Sequence, residues 1–93
     1  MTKYNVCHRT LYTGHRAAGV LSYFVTKDRS QNNRKCNYGI GIRFSNIDKD
    51  EEAFLTNITS SYRRVRFLIH ILSRGYVTPV TLSDVVSDII KTI

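Results

Sequence analysis

Tryptophan is absent from this chain of 93 residues, proline and methionine occur once each, and cysteine only twice. Each scarcity excludes something. Cys7 and Cys36 are too few and too far apart for a disulfide framework. Neither lies in a C-x-x-C pair, which argues against structural zinc and thioredoxin-like redox work, and both are read as reduced thiols. A lone proline beside six tyrosines and four phenylalanines is the composition of a folded chain, since disordered chains are rich in Pro and poor in aromatics. No apolar run approaches the ~18 residues of a membrane span, and the N-terminal MTKYNVCHRT lacks the apolar stretch of a signal peptide, so a soluble, cytoplasmic protein is expected.

Acidic residues are also scarce, with 7 Asp or Glu against 14 Lys or Arg, for a net charge of +7. That balance favours an anionic partner. Before residue 46 the only acid is Asp28, whereas Asp48, Asp50, Glu51 and Glu52 cluster in one short stretch. The positive charge therefore sits on the early part of the chain and again on Arg63, Arg64, Arg66 and Arg74.

Residues 1–93 read as one α+β domain: β-rich over 1–58, a basic amphipathic helix over 60–74 and a core helix over 79–92. Weak alternation from Lys3 to Thr13 predicts a strand with Tyr4, Val6, His8, Thr10 and Tyr12 on one side and Cys7, Arg9 and Leu11 on the other. Residues 14–18 read as a turn, and Gly19 to Lys27 as a second strand rich in β-branched and aromatic residues. Asp28 to Lys35 reads as an exposed basic loop. Tyr38, Ile40, Ile42 and Phe44 alternate most cleanly and define a core face. Gly39 and Gly41, on the other face, suggest a bulge or the close approach of another backbone. After an acidic turn over 46–52, residues 53–58 read as a short fourth strand, with a helix as the alternative, giving a sheet of three or four antiparallel strands with a C-terminal helical hairpin packed on one face.

The first helix can be capped by Ser60 or Ser61, with Gly75 at its end in the left-handed conformation. The second starts either at Thr78-Pro79 or at Thr81, where Asp84 would complete a capping box. Leu82, Val85, Val86, Ile89, Ile90 and Ile93 keep helical spacing throughout, as a core helix should.

Placed at about 100° per residue, Val65, Leu68, Ile69 and Leu72 form a buried stripe, and Arg63, Arg66, His70 and Arg74 an opposing arc. Arg63 and Arg64 fall in the first turn, where unpaired N–H groups disfavour cations. Their placement suggests an external anion, unless Asp50, Glu51 and Glu52 fold back to neutralise them. Phe67 and Ile71 lie between stripe and arc; aromatic and Arg side chains together resemble a protein-interface hot spot, unless the sheet or second helix covers them. The expected partner-binding residues are thus Arg63, Arg64, Arg66, Phe67, His70 and Arg74, with secondary anion contacts at Lys27, Arg29, Arg34 and Lys35.

No catalytic residues, metal or cofactor are expected. His8 should point away from Cys7, His15 lies in a turn, and His70 joins the basic arc, so no nucleophile and base assemble locally. Asp48, Asp50 and Glu52 alternate like calcium ligands but lack the Gly and the distal Glu of such a loop. A helix-turn-helix DNA reader is disfavoured, because the second helix carries Asp84 and Asp88 with Lys91 as its only cation.

Tyr38-Gly-Ile-x-Ile42, Ile58-Thr-Ser-Ser61 and Val77-Thr-Pro-Val-x-Leu-x-Asp-Val-Val-x-Asp88 together resemble short standalone proteins of clostridial-type bacteria grouped as a domain of unknown function. The resemblance spans roughly residues 20–93 and implies a bacterial or bacteriophage protein with strands preceding helices. It implies no activity and no site. From size and missing chemistry, the expected role is stoichiometric binding: a regulator or inhibitor of a nucleic-acid-handling machine, anti-CRISPR-like in its concrete form. The expected partner is an anionic protein surface or nucleoprotein. Direct phosphate contact with RNA or DNA, and self-association as a homodimer, are the alternatives.

Overall fold

The computed structural model describes residues 2–29 and 36–92. Four strands, β1 (Thr2–Thr13), β2 (Arg16–Arg29), β3 (Cys36–Ser45) and β4 (Asp50–Thr59), form an antiparallel meander in sequence order. Helix α1 (Tyr62–Arg74), a 3-10 turn (Pro79–Thr81) and helix α2 (Leu82–Thr92) follow and pack against one face. The expected α+β architecture is therefore observed.

One sheet face is the core. Leu21, Tyr23 and Val25 of β2 stand opposite Phe44, Ile42 and Ile40 of β3, and α1 lays Val65, Leu68, Ile69 and Leu72 over them. Leu82 and Val86 extend the cluster from α2. Each such fully buried side chain contributes about 1.5–3 kcal/mol by leaving water. Tyr23 belongs to this core because its hydroxyl has a partner, donating to the Val77 carbonyl at 2.9 Å and tying β2 to the connection between the helices. Burial pushes its phenol above the ordinary tyrosine range.

The opposite face is built on glycine, as the alternation around Gly39 and Gly41 suggests. The Phe54 ring lies across Gly41, occupying the place of a Cβ, and the Lys3 ammonium sits 5.2 Å from that ring's centroid. At Gly39 a Cβ would overlap the Leu55 carbonyl and come within 2.6 Å of the Thr26 hydroxyl. The close approach arises because β4 bulges there: Tyr38 pairs with Thr59 and Ile40 with Leu55, and Asn57 takes φ 57° to absorb the extra residues.

Several boundaries depart from the sequence reading. The first turn is only Gly14-His15, with Gly14 at φ 64°, so Arg16 to Ala18 belong to β2. Arg16 and Ala17 are held by pairing with Thr13 and Tyr12 of β1, with Ala18 as an extra residue beside them, and not by their own β propensity. The basic loop begins later, because Asp28 and Arg29 still pair with Asn37 and Cys36; residues 30–35 of that loop lie outside the described residues. β4 begins at Asp50 and not 53, since Arg43 of β3 faces Glu52 and binds Asp50, giving the acidic strand a cationic neighbour.

In β1, the alternation breaks once. Asn5 pairs with Phe24 but Cys7 pairs with Tyr23, so Val6 is an extra residue. Tyr4 consequently faces the helices with Cys7, Arg9 and Leu11, contrary to the regular alternation that grouped it with His8.

Candidate functional site

Ser61 caps α1, its hydroxyl accepting from the Arg64 N–H at 3.3 Å. The cap fixes the phase of the helix: Val65, Leu68, Ile69 and Leu72 are buried, while Arg63, Arg64, Arg66, Phe67, His70 and Arg74 are all exposed. Phe67 is 55% exposed, so neither sheet nor second helix covers it; Ile71 is half-buried.

The acidic stretch does not neutralise the arginines. Asp50 pairs with Arg43, with Glu52 4.0 Å from the same guanidinium, and Glu51 pairs with Lys49 at 3.3 Å. The hydrogen bonds from Arg43 hold the Asp50 carboxyl below the usual carboxylate range. The topology explains why the fold-back does not occur: β4 carries the chain from Asp50 to Thr59, about 30 Å at the rise of an extended strand, before α1 starts. Among the described residues, no carboxylate pairs with Arg63, Arg64, Arg66 or Arg74.

The six predicted partner-binding residues do not all line one concavity. Arg63, Arg64 and Phe67 lean toward α2 and line a groove of ≈ 450 Å³ with Leu68, Ile58 and Ile90. Ile90 is 50% exposed and so belongs to this groove and not to the core, where an unbroken stripe would place it. Its signal was in the pattern, at about 80° from Leu82 on the helical wheel, the edge of the stripe. Ile93, the last member of that stripe, lies outside the described residues.

Arg66 leans the other way, toward β1. There Lys27, one of the predicted secondary cations, joins it around a smaller pocket with Tyr4, Tyr38 and Tyr62. Arg29 is exposed at the end of β2, two residues beyond Lys27 on the same strand face. Arg34 and Lys35 lie outside the described residues. His70 and Arg74 stay on the outward face of α1 and line neither concavity.

Both candidate starts of the second helix can be resolved. Pro79 opens the 3-10 turn after Thr78, and α2 continues directly from it. Thr81 turns its hydroxyl back to the Thr78 carbonyl at 3.3 Å instead of capping α2.

One polar cluster escaped the sequence reading. On the uncovered sheet face His8 Nδ1 lies 2.9 Å from Ser22 Oγ, and Asn5 Nδ2 lies 3.1 Å from His8 Nε2. With the Asn5 amide donating to Nε2, Nδ1 carries the proton and donates to Ser22, the reverse of what activating a serine requires. Cys7 faces the opposite side and is half-buried. No group of three His, Cys, Asp or Glu among the described residues is placed to hold a metal, and among them no helix is long and apolar enough to cross a membrane.

No curated protein and no solved structure matches the chain. One family model does, over residues 2–92, which includes all three of the motifs around Tyr38, Ile58 and Val77. The chain accordingly belongs to a family of unknown function, DUF6514.

Proposed function

We propose that this protein acts by stoichiometric binding and without catalysis, as a regulator or inhibitor of a protein machine that handles nucleic acid; an anti-CRISPR-like role is the concrete form. The observation that carries the reading is Phe67, left 55% exposed between Arg63 and Arg64 in a groove floored by Leu68 and Ile58. An exposed aromatic beside guanidiniums that have no carboxylate partner among the described residues has the make-up of an interface hot spot for an acidic protein surface. A small domain gains by burying such a ring, so leaving it in water costs stability that only an outside contact recovers.

Affinity capture from lysate treated with nuclease tests this. The wild-type chain is expected to retain a protein in near-equal amount, and the Arg63→Glu, Phe67→Asp double variant to lose it while keeping the same thermal transition. Undiminished capture by the double variant would remove the groove from the function. Capture abolished by the nuclease alone would instead favour direct phosphate contact, a second reading motivated by the convergence of Lys27 on Arg66.

A further inference from the structure

Across α1 from the Phe67 groove, a second concavity of ≈ 200 Å³ is lined by Tyr4, Tyr38, Tyr62, Lys27 and Arg66, with Val25 as its apolar floor. Four elements, β1, β2, β3 and α1, build it. Tyr4 arrives from β1 only because the bulge at Val6 turns it to the helix side. Tyr38 stands beside Lys27, its pairing partner across β2 and β3. Tyr62 opens α1 and packs its ring edge to face on Tyr38, with centroids 5.5 Å apart and planes at 63°.

Tyr4 and Tyr62 remain 50% and 54% exposed although Val25 beneath them is 1% exposed. Val25 is thus covered, while the rings above it keep faces open to solvent. Among the described residues no carboxylate pairs with either cation, and neither β1 nor α1 contains an acidic residue. Asp28, next to Lys27, falls on the opposite sheet face by strand alternation. An aliphatic acid would leave the rings unused, and an uncharged apolar group would leave the cations unused. A flat aromatic group attached to a phosphate uses both, by stacking on tyrosine and by contact with Lys and Arg.

We propose that this pocket binds one nucleotide unit, its base among Tyr4, Tyr38 and Tyr62 and its phosphate on Lys27 and Arg66. The unit comes from single-stranded nucleic acid or from a free nucleotide, which share this chemistry. Arg29 continues the positive track beyond Lys27 along the same strand face, which favours a strand. The inference does not rest on the Phe67 groove, which lies on the other flank of the helix.

The chain has no tryptophan, so tyrosine emission reports on the rings directly. Titration with oligo(dT) of about ten nucleotides, within the span of small single-strand binding sites, is expected to quench it. Two phosphate contacts give a slope of about −1.4 in log affinity against log salt for a single strand. Tyr62→Ala is expected to weaken binding roughly 5- to 100-fold, as loss of one stacking ring does. Arg66→Gln is expected to flatten the salt slope by about 0.7. Tyr12→Ala, removing a 68% exposed tyrosine outside the pocket, should leave binding unchanged.

Thymidine 5′-monophosphate separates the sources: much weaker binding than the oligonucleotide assigns a strand, and equal binding assigns a free nucleotide. Absence of quenching with either ligand would overturn the proposal. So would an equal response to a duplex, or a loss in Tyr12→Ala as large as in Tyr62→Ala. If Tyr62→Ala melts early, the exposed Arg66→Gln and the ring-preserving Tyr62→Phe carry the test, the second being expected to bind as the wild type does.

Discussion

The two helices lie on the same sheet face with the same kind of apolar stripe, yet they treat their own dipoles in opposite ways. α2 places Asp84 in its first turn and Lys91 in its last, each where the partial charge of the helix end welcomes it. α1 has no acid in its first turn and carries Arg63 and Arg64 there instead. The end charges of α2 are accounted for by the stability of α2. The first-turn charges of α1 are not, because the carboxylates that could have compensated its arginines are committed to Arg43 and Lys49 at the far end of β4. The difference separates residues answering to the fold from residues answering to something outside it.

The buried sides set the largest effects. Leu72 of α1 is 0% exposed and Leu82 at the start of α2 is 1% exposed. Truncation to alanine is expected to cost about 2–5 kcal/mol in each case. Leu72→Ala should be the costlier, since α1 packs against all four strands whereas α2 packs on β4 and the adjoining turn. Denaturant melts of the two variants decide this, and the reverse ranking would make α2 the anchor of the core. Next comes the tie between them. Tyr23→Phe leaves the Val77 carbonyl without its donor and is expected to cost about 1–2 kcal/mol, with no gain in solubility or binding to offset it.

Much of this frame was legible in the residues. The alternation at Tyr38 to Phe44 gave the core face, the small side of that strand gave the close approach at Gly39, and the wheel gave the buried stripe of α1. What was not legible has identifiable causes. A single inserted residue at Val6 reverses the facing of Tyr4, and no residue type marks such an insertion. Arg16, Ala17 and Asp50 to Glu52 have little strand propensity and are extended only because a partner strand pairs with them. For the site, the exposed arginines and the aromatic beside them followed from the wheel, whereas the wheel left open whether Asp50 to Glu52 would fold back on them. That Arg66 separates from Arg63 and joins Lys27 depends on where β1 and α2 flank the helix, which helical periodicity does not contain.

Reversing the charges sharpens the comparison through the sign of the response. Arg64 is the third residue of α1 after the Ser61 cap, so Arg64→Glu creates a Ser-x-x-Glu capping box and removes a cation from the positive end. It is expected to stabilise the domain by about 0.3–1 kcal/mol, and adding Arg63→Glu should give a similar further increment. In α2 the matching change, Asp84→Lys, should destabilise by a similar amount. Thermal transitions at low ionic strength check the pair, with the differences shrinking as salt is added. Equal signs in the two helices would mean that Arg63 and Arg64 already serve α1, and that the case for an external acidic partner is lost.

The smallest expected effect lies where α1 ends. Gly75 was expected to need the left-handed conformation, but it sits at φ −86° and Tyr76 takes φ 52° instead. The N–H of Val77 reaches the Leu72 carbonyl at 3.1 Å and that of Tyr76 reaches Ser73 at 3.3 Å, the closing bonds of a Schellman motif with its left-handed residue at Tyr76. A Cβ at Gly75 would meet nothing nearer than the Ile71 carbonyl at 3.6 Å. Gly75→Ala is therefore expected to raise stability by about 0.4–1 kcal/mol, because it restricts the unfolded chain without straining the folded one. That gain corresponds to a rise of a few degrees in Tm for a domain of this size. A fall in Tm would show that Gly75 does adopt a left-handed backbone in solution, and that the Tyr76 conformation, with the Val77 carbonyl position that Tyr23 depends on, is differently arranged.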